Sequence, residues 1–74
     1  MEINLELDLR RLLCPMPVIK TQNALKKMGK GEHLKVICTD PGVKHDIPAW
    51  CKINGYDILE QFNIDNEFIF VIKA

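Results

Sequence analysis

Cys14 is followed by Pro15, Met16 and Pro17, and this spacing is the chain's strongest proposal for chemistry. A proline is tolerated in the first turn of a helix, where its missing N–H costs nothing, so a helix is expected to start at Pro15 with Cys14 at or beside the N-cap. A thiol placed there faces unpaired backbone N–H groups and the positive end of the helix dipole, both of which favour thiolate over thiol. Pro15 and Pro17 fix φ at two of the three positions after Cys14, which restricts the directions in which the sulfur can point. The competing reading makes Cys14 a small buried hydrophobe among Leu12, Leu13 and Met16.

Charge patterning supports the reactive reading. The formal net charge is zero, which excludes a nonspecific nucleic-acid binder that neutralises many phosphates. Yet residues 1–30 carry six Lys or Arg against three acids, and residues 55–74 carry one Lys against four acids. Arg10, Arg11 and Lys20 are the candidates for electrostatic support of a thiolate and for docking an acidic partner surface. Together with the helix terminus they predict a Cys14 pKa below that of a free thiol. Lys26, Lys27 and Lys30 read as a solvated outer helix face.

The other cysteines, Cys38 and Cys51, have no CxxC spacing, and only His33 and His45 are available to complete a metal site, so no metal and no cofactor are expected. An acyl-transfer enzyme needs a base assigned to the thiol, and neither histidine has a context that assigns it. A disulfide redox protein would have to pair Cys14 with Cys51. Cys38 falls in a strand and Cys51 on the packed face of a helix. Neither a signal peptide nor a bilayer-spanning segment is legible, and a cytoplasmic protein, with Cys14 a free thiol, is expected.

The elements that must position Cys14 follow from periodicity, and the 74 residues suit one domain spanning 1–74. Ile3, Leu5 and Leu7 alternate with polar residues as in a half-buried strand. Residues 9–13 connect to a helix over residues 15–28, with Val18, Gln22, Leu25 and Met28 on its inner face, widened by Ile19 and Ala24. Residues 34–39 form a second strand. Asp40-Pro41 and Asp46-Ile47-Pro48 predict a first turn at 41–44, an adjustment near Asp46, and a short helix over 47–54 ended by Gly55. Residues 56–62 form a third strand, 63–66 a hairpin turn, and 67–73 a fourth, strongly apolar strand. The order β-α-β-α-β-β is that of a two-layer α/β sandwich. A four-stranded mixed sheet of order 1-2-4-3 has two helices on one face and Cys14 beyond the C-terminal edge of its first strand. The uncovered face cannot then be fully apolar unless it meets a partner.

One activated sulfur in so small a domain fits a carrier, which takes a sulfane sulfur from a donor persulfide and yields it to an acceptor thiol. The alternative from another class is a noncatalytic interaction or regulatory domain with Cys14 packed.

Asp8, Leu12, Cys14-Pro15-Met16-Pro17, Leu25, Met28, Gly31, Leu34, Asp40-Pro41, Asp46-Ile47-Pro48, Trp50-Cys51 and Gly55 together resemble the TusA/SirA/YedF family of small sulfur-carrier proteins. The resemblance covers nearly the whole chain. It implies the same β-α-β-α-β-β fold and Cys14 as the persulfide-bearing residue of a cofactor-free sulfurtransferase. It further implies a cysteine desulfurase or a rhodanese as donor, a DsrE-type relay protein as acceptor, and destinations that include tRNA 2-thiolation and sulfur oxidation. A monomer without membrane or stable nucleic-acid binding is expected. One departure is Arg11, three residues before Cys14, where the family usually carries Gly; a positive φ there would be strained by any other residue.

Overall fold

The computed structural model describes residues 2–74; Met1, part of the N-terminal segment read above, lies outside the described residues. The elements run β1 Leu5–Leu9, α1 Met16–Lys27, β2 His33–Cys38, α2 Val43–Asn54, β3 Asp57–Ile64 and β4 Glu67–Lys73. The strands form one sheet in the order β1-β2-β4-β3. β1 is parallel to β2, while β4 is antiparallel to both β2 and β3. The expected topology and strand order are thus both present. β4 lies between β2 and β3, where its apolar run is buried along its whole middle: Phe70 and Ile72 fully, and Ile69 and Val71 on the opposite face as well.

Leu34, Val36 and Cys38 of β2 and Phe70 and Ile72 of β4 meet Leu25 of α1 and Val43, Ile47 and Cys51 of α2 in one core. Both helices therefore cover the same face. Period-two burial along β2 follows from that single cover, since His33, Lys35 and Ile37 point to the uncovered side and are half-buried. On that side Phe62 and Ile64 of β3 stay exposed, beside charged residues such as Lys35 and Glu60. The irregular alternation of β3 has its cause in a bulge between Ile58 and Glu60. The hairpin turn is tighter than expected, with Asp65 and Asn66 at positive φ, the two-residue loop whose twist matches its strands.

Three expectations need correction. Helix α1 keeps nearly its expected bounds, but its buried stripe is Pro17, Thr21 and Leu25, with Val18, Gln22, Ala24 and Met28 half-buried and Ile19 exposed. A proline and a threonine at four-residue spacing do not register as apolar periodicity, so the stripe was read rotated about the helix axis. Helix α2 is continuous from Val43 rather than beginning at Ile47 after a separate turn. Its first turn is held by N–H donation from His45 and Asp46 to the Gly42 carbonyl, and Val43, Ile47 and Cys51 make one buried stripe. Pro48 lies inside it and deprives the Lys44 carbonyl of a helical partner, which is tolerable because Lys44 is exposed to water. Strand β3 starts and ends later than residues 56–62, at Asp57–Ile64.

Candidate functional site

Parallel pairing of β1 and β2 brings the C-terminal ends of both strands to the same edge of the sheet, so the loops that follow them lie side by side. Backbone and side chain stitch these loops together. Arg11 N–H donates to Thr39 Oγ1 at 2.8 Å, and Cys14 N–H donates to Asp40 Oδ2 at 2.7 Å. Asp40 also accepts from Gly42 N–H at 3.1 Å, so it caps its own turn as expected while holding the neighbouring loop. Between these anchors the chain turns sharply, with Leu12 N–H bonded to the Leu9 carbonyl and Met16 N–H to the Leu13 carbonyl. Arg11 has φ 70°, so the position where the resemblance expects Gly does adopt the left-handed conformation.

Cys14 lies immediately before Pro15, the N-cap of α1, and the peptide bond between them is cis. Pro17, in the first turn of α1, is buried and seats the helix start against the core. Cys14 is exposed; the exposed apolar side chains Leu13 and Met16 are its near neighbours along the chain, and exposed Ile19 lies about one turn farther along α1. Cys38 and Cys51 are 0% and 1% exposed. Burial pushes each of these thiols up to about 11, with Asp40 adding to the effect at Cys38. Cys51 is therefore no exposed partner for a Cys14 disulfide.

The expectation of a lowered Cys14 pKa is overturned. Cys14 Sγ donates to Asp46 Oδ2 at 3.4 Å, and this hydrogen bond, with partial desolvation and then the negative charges of Asp46 and Asp40, pushes the thiol up. The cations are arranged differently from their sequence order. Arg10 turns back to Asp8, with its Nη2 at 2.8 Å from the carboxylate, and reaches Glu67 at 3.4 Å. That contact holds Asp8 down at about 2 and raises Arg10. Arg10 and Arg11 line an open groove of about 430 Å³ with Asp8, Thr39 and Glu67, while Lys20 is exposed on α1. Arg10 thus spends its guanidinium on carboxylates, not on the sulfur.

Asp46 is the residue at the sulfur that the sequence reading missed, because Asp46-Ile47-Pro48 has the grammar of a helix start. Its signal lay in topology: parallel neighbours β1 and β2 must set the start of α2 beside the start of α1. Among the described residues, no group of three or more His, Cys, Asp or Glu side chains is placed to hold a metal ion. No helix among them is long and apolar enough to cross a membrane. The arrangement can perform nucleophilic exchange at one accessible sulfur.

Residues 5–74 match the family model for Sulfurtransferase TusA. The chain is 46% identical over 55 residues to YrkI of Bacillus subtilis, covering 74% of this chain and 73% of that one. It is 38% identical over 68 residues to the sulfur carrier protein TusA of Allochromatium vinosum, covering 92% and 90% respectively. Its fold is similar to the crystal structure of a SirA-like protein from Desulfitobacterium hafniense, with a TM-score of 0.85 at 24% identity, covering 95% of this chain and 96% of that one.

Proposed function

The chain belongs to the TusA family and is a sulfur carrier of that family; on this premise we propose that Cys14 is the residue that bears the sulfur. One observation carries the assignment: of the three free cysteines, Cys14 alone is exposed. In the loading step the Cys14 sulfur attacks the outer sulfur of a donor persulfide. A new S–S bond forms at Cys14, the donor's own S–S bond breaks, and the donor sulfur departs with the electron pair and takes up the proton that Cys14 gives up. Unloading repeats the exchange with an acceptor thiol as the attacking group. No external oxidant or reductant enters, since the sulfane sulfur is only handed on.

The donor in this reading is a cysteine desulfurase or a rhodanese and the acceptor a DsrE-type relay protein, in a cytoplasmic relay feeding tRNA 2-thiolation or sulfur oxidation. Exposed Leu13 and Met16, next to Cys14 along the chain, and Ile19 about one turn farther along α1 offer such partners apolar contacts. Pro15 and Pro17 orient it, and Lys20 and Arg11 supply positive charge at the same edge. The test is a single-turnover chase of radiolabelled sulfur from the loaded carrier to an acceptor. The wild-type chain passes its label and Cys14→Ala passes none. Transfer by Cys14→Ala at the wild-type rate refutes the assignment.

A further inference from the structure

The group in contact with the Cys14 sulfur has the wrong sign for a residue that activates a thiol. Activation calls for a cation or an amide donor beside the sulfur; Asp46 instead offers a carboxylate oxygen at 3.4 Å. That hydrogen bond exists only while the sulfur keeps its proton. Its geometry is fixed from both sides. Asp46 sits in the first turn of α2, and Asp40 in the preceding loop holds the Cys14 backbone N–H at 2.7 Å. The charges that bear on the sulfur are Asp46 and Asp40, while Arg10 on the segment before it is engaged by Asp8 and Glu67.

We infer that Asp46 is a positioning residue that keeps the unloaded carrier in its thiol form and releases the sulfur once a sulfane sulfur has replaced the proton. The inference rests on Cys14 being the sulfur-bearing residue. In the empty carrier the S–H···carboxylate contact stabilises the protonated state. Thiolate falls tenfold for each unit by which the pKa rises above neutral pH. Nucleophilicity recovers only part of this, so reactivity toward stray electrophiles and oxidants drops to about one third per unit. In the loaded carrier Sγ carries an S–S bond where it carried hydrogen. It then has nothing to donate, and the carboxylate faces sulfur lone pairs. The outer sulfur stands about 2 Å farther along the S–S bond, so any negative charge on it is less opposed by Asp46. The same carboxylate therefore quiets the empty carrier and pushes the cargo outward, toward an acceptor.

Alkylation by iodoacetamide from neutral to strongly alkaline pH, read at Cys14 by peptide mass mapping of the full chain, tests this. In Asp46→Asn the midpoint falls below that of wild type, and the plateau rate at high pH falls to about one third for each unit the midpoint falls, because the less basic thiolate is the weaker nucleophile. The rate at neutral pH then rises about threefold for each unit the midpoint falls. A structural loosening would raise the plateau and leave the midpoint where it was. An Asp46→Asn midpoint equal to or above that of wild type overturns the inference. Wild type provides a second measurement that needs no variant: its Cys14 midpoint lies above that of the same chain unfolded in urea, and a midpoint at or below the unfolded one also overturns it. Treatment with inorganic polysulfide separates the two claims. Failure of Cys14 to gain a sulfur removes the carrier assignment, whereas the midpoints report on Asp46 either way.

Discussion

Thr21→Val should make this protein more stable, a direction that few core substitutions take. Thr21 lies on the buried stripe of α1 between Pro17 and Leu25, is 1% exposed, and its Oγ1 has no hydrogen-bond partner. A buried hydroxyl without a partner costs about 1–3 kcal/mol by mutational measures. Valine replaces that hydroxyl by a methyl group of similar size, which gains up to about 0.8 kcal/mol by burial. Both residues are β-branched with similar helix propensity, so backbone effects nearly cancel. The hydroxyl penalty dominates, and with the burial of the methyl group the expected gain is about 1–3 kcal/mol. For a domain of this size that corresponds to a rise in Tm of about 4–8 °C per kcal/mol. Urea unfolding should show the midpoint moving up with an unchanged slope. Neutral or reduced stability would mean that the hydroxyl is satisfied in solution, and the description of the α1 interface would be wrong.

Trp50 stacks on Tyr56 with ring centroids 5.3 Å apart and an interplanar angle of 11°, half-buried at the margin of the core. Trp50→Ala should cost about 2–3 kcal/mol, and a double-mutant cycle with Tyr56→Ala should return about 0.5–1.5 kcal/mol of coupling; additive losses would show that the rings do not interact. The Cys38 and Cys51 thiols, pushed up to about 11 by burial, bind their protons more tightly folded than unfolded. Their contribution is complete below the free-thiol value near 9 and is lost as pH rises through 11, so the urea midpoint should fall across that window; a flat midpoint would contradict the burial of both.

The order and pairing of the strands were legible because β2 and β4 carry the two most apolar runs and because parallel crossovers have one hand. Arg11 was legible only as a departure, and its φ of 70° shows that the loop keeps the left-handed turn without glycine. The rotated stripe of α1 and the early start of α2 were not legible for one reason. Pro17, Thr21 and Pro48 occupy helical positions for which local propensity argues another role, and tertiary packing decides there. The sign of the field at Cys14 escaped for a different reason. Arg10 is four residues from the sulfur in sequence yet paired to β1 and β4, while Asp46, far along the chain, touches it. Electrostatics follow distance in space, and periodicity does not report which loop ends converge.

The central claim is that sulfur travels on Cys14, and site mapping of the loaded protein tests it most directly. The native wild-type chain, treated with a persulfide donor and trapped with an alkylating agent, is digested and its cysteine peptides weighed. One added sulfur on the Cys14 peptide, with the Cys38 and Cys51 peptides unmodified until the chain is unfolded, is the predicted result. An added sulfur on Cys38 or Cys51 in the native protein, or none on Cys14, would contradict the account.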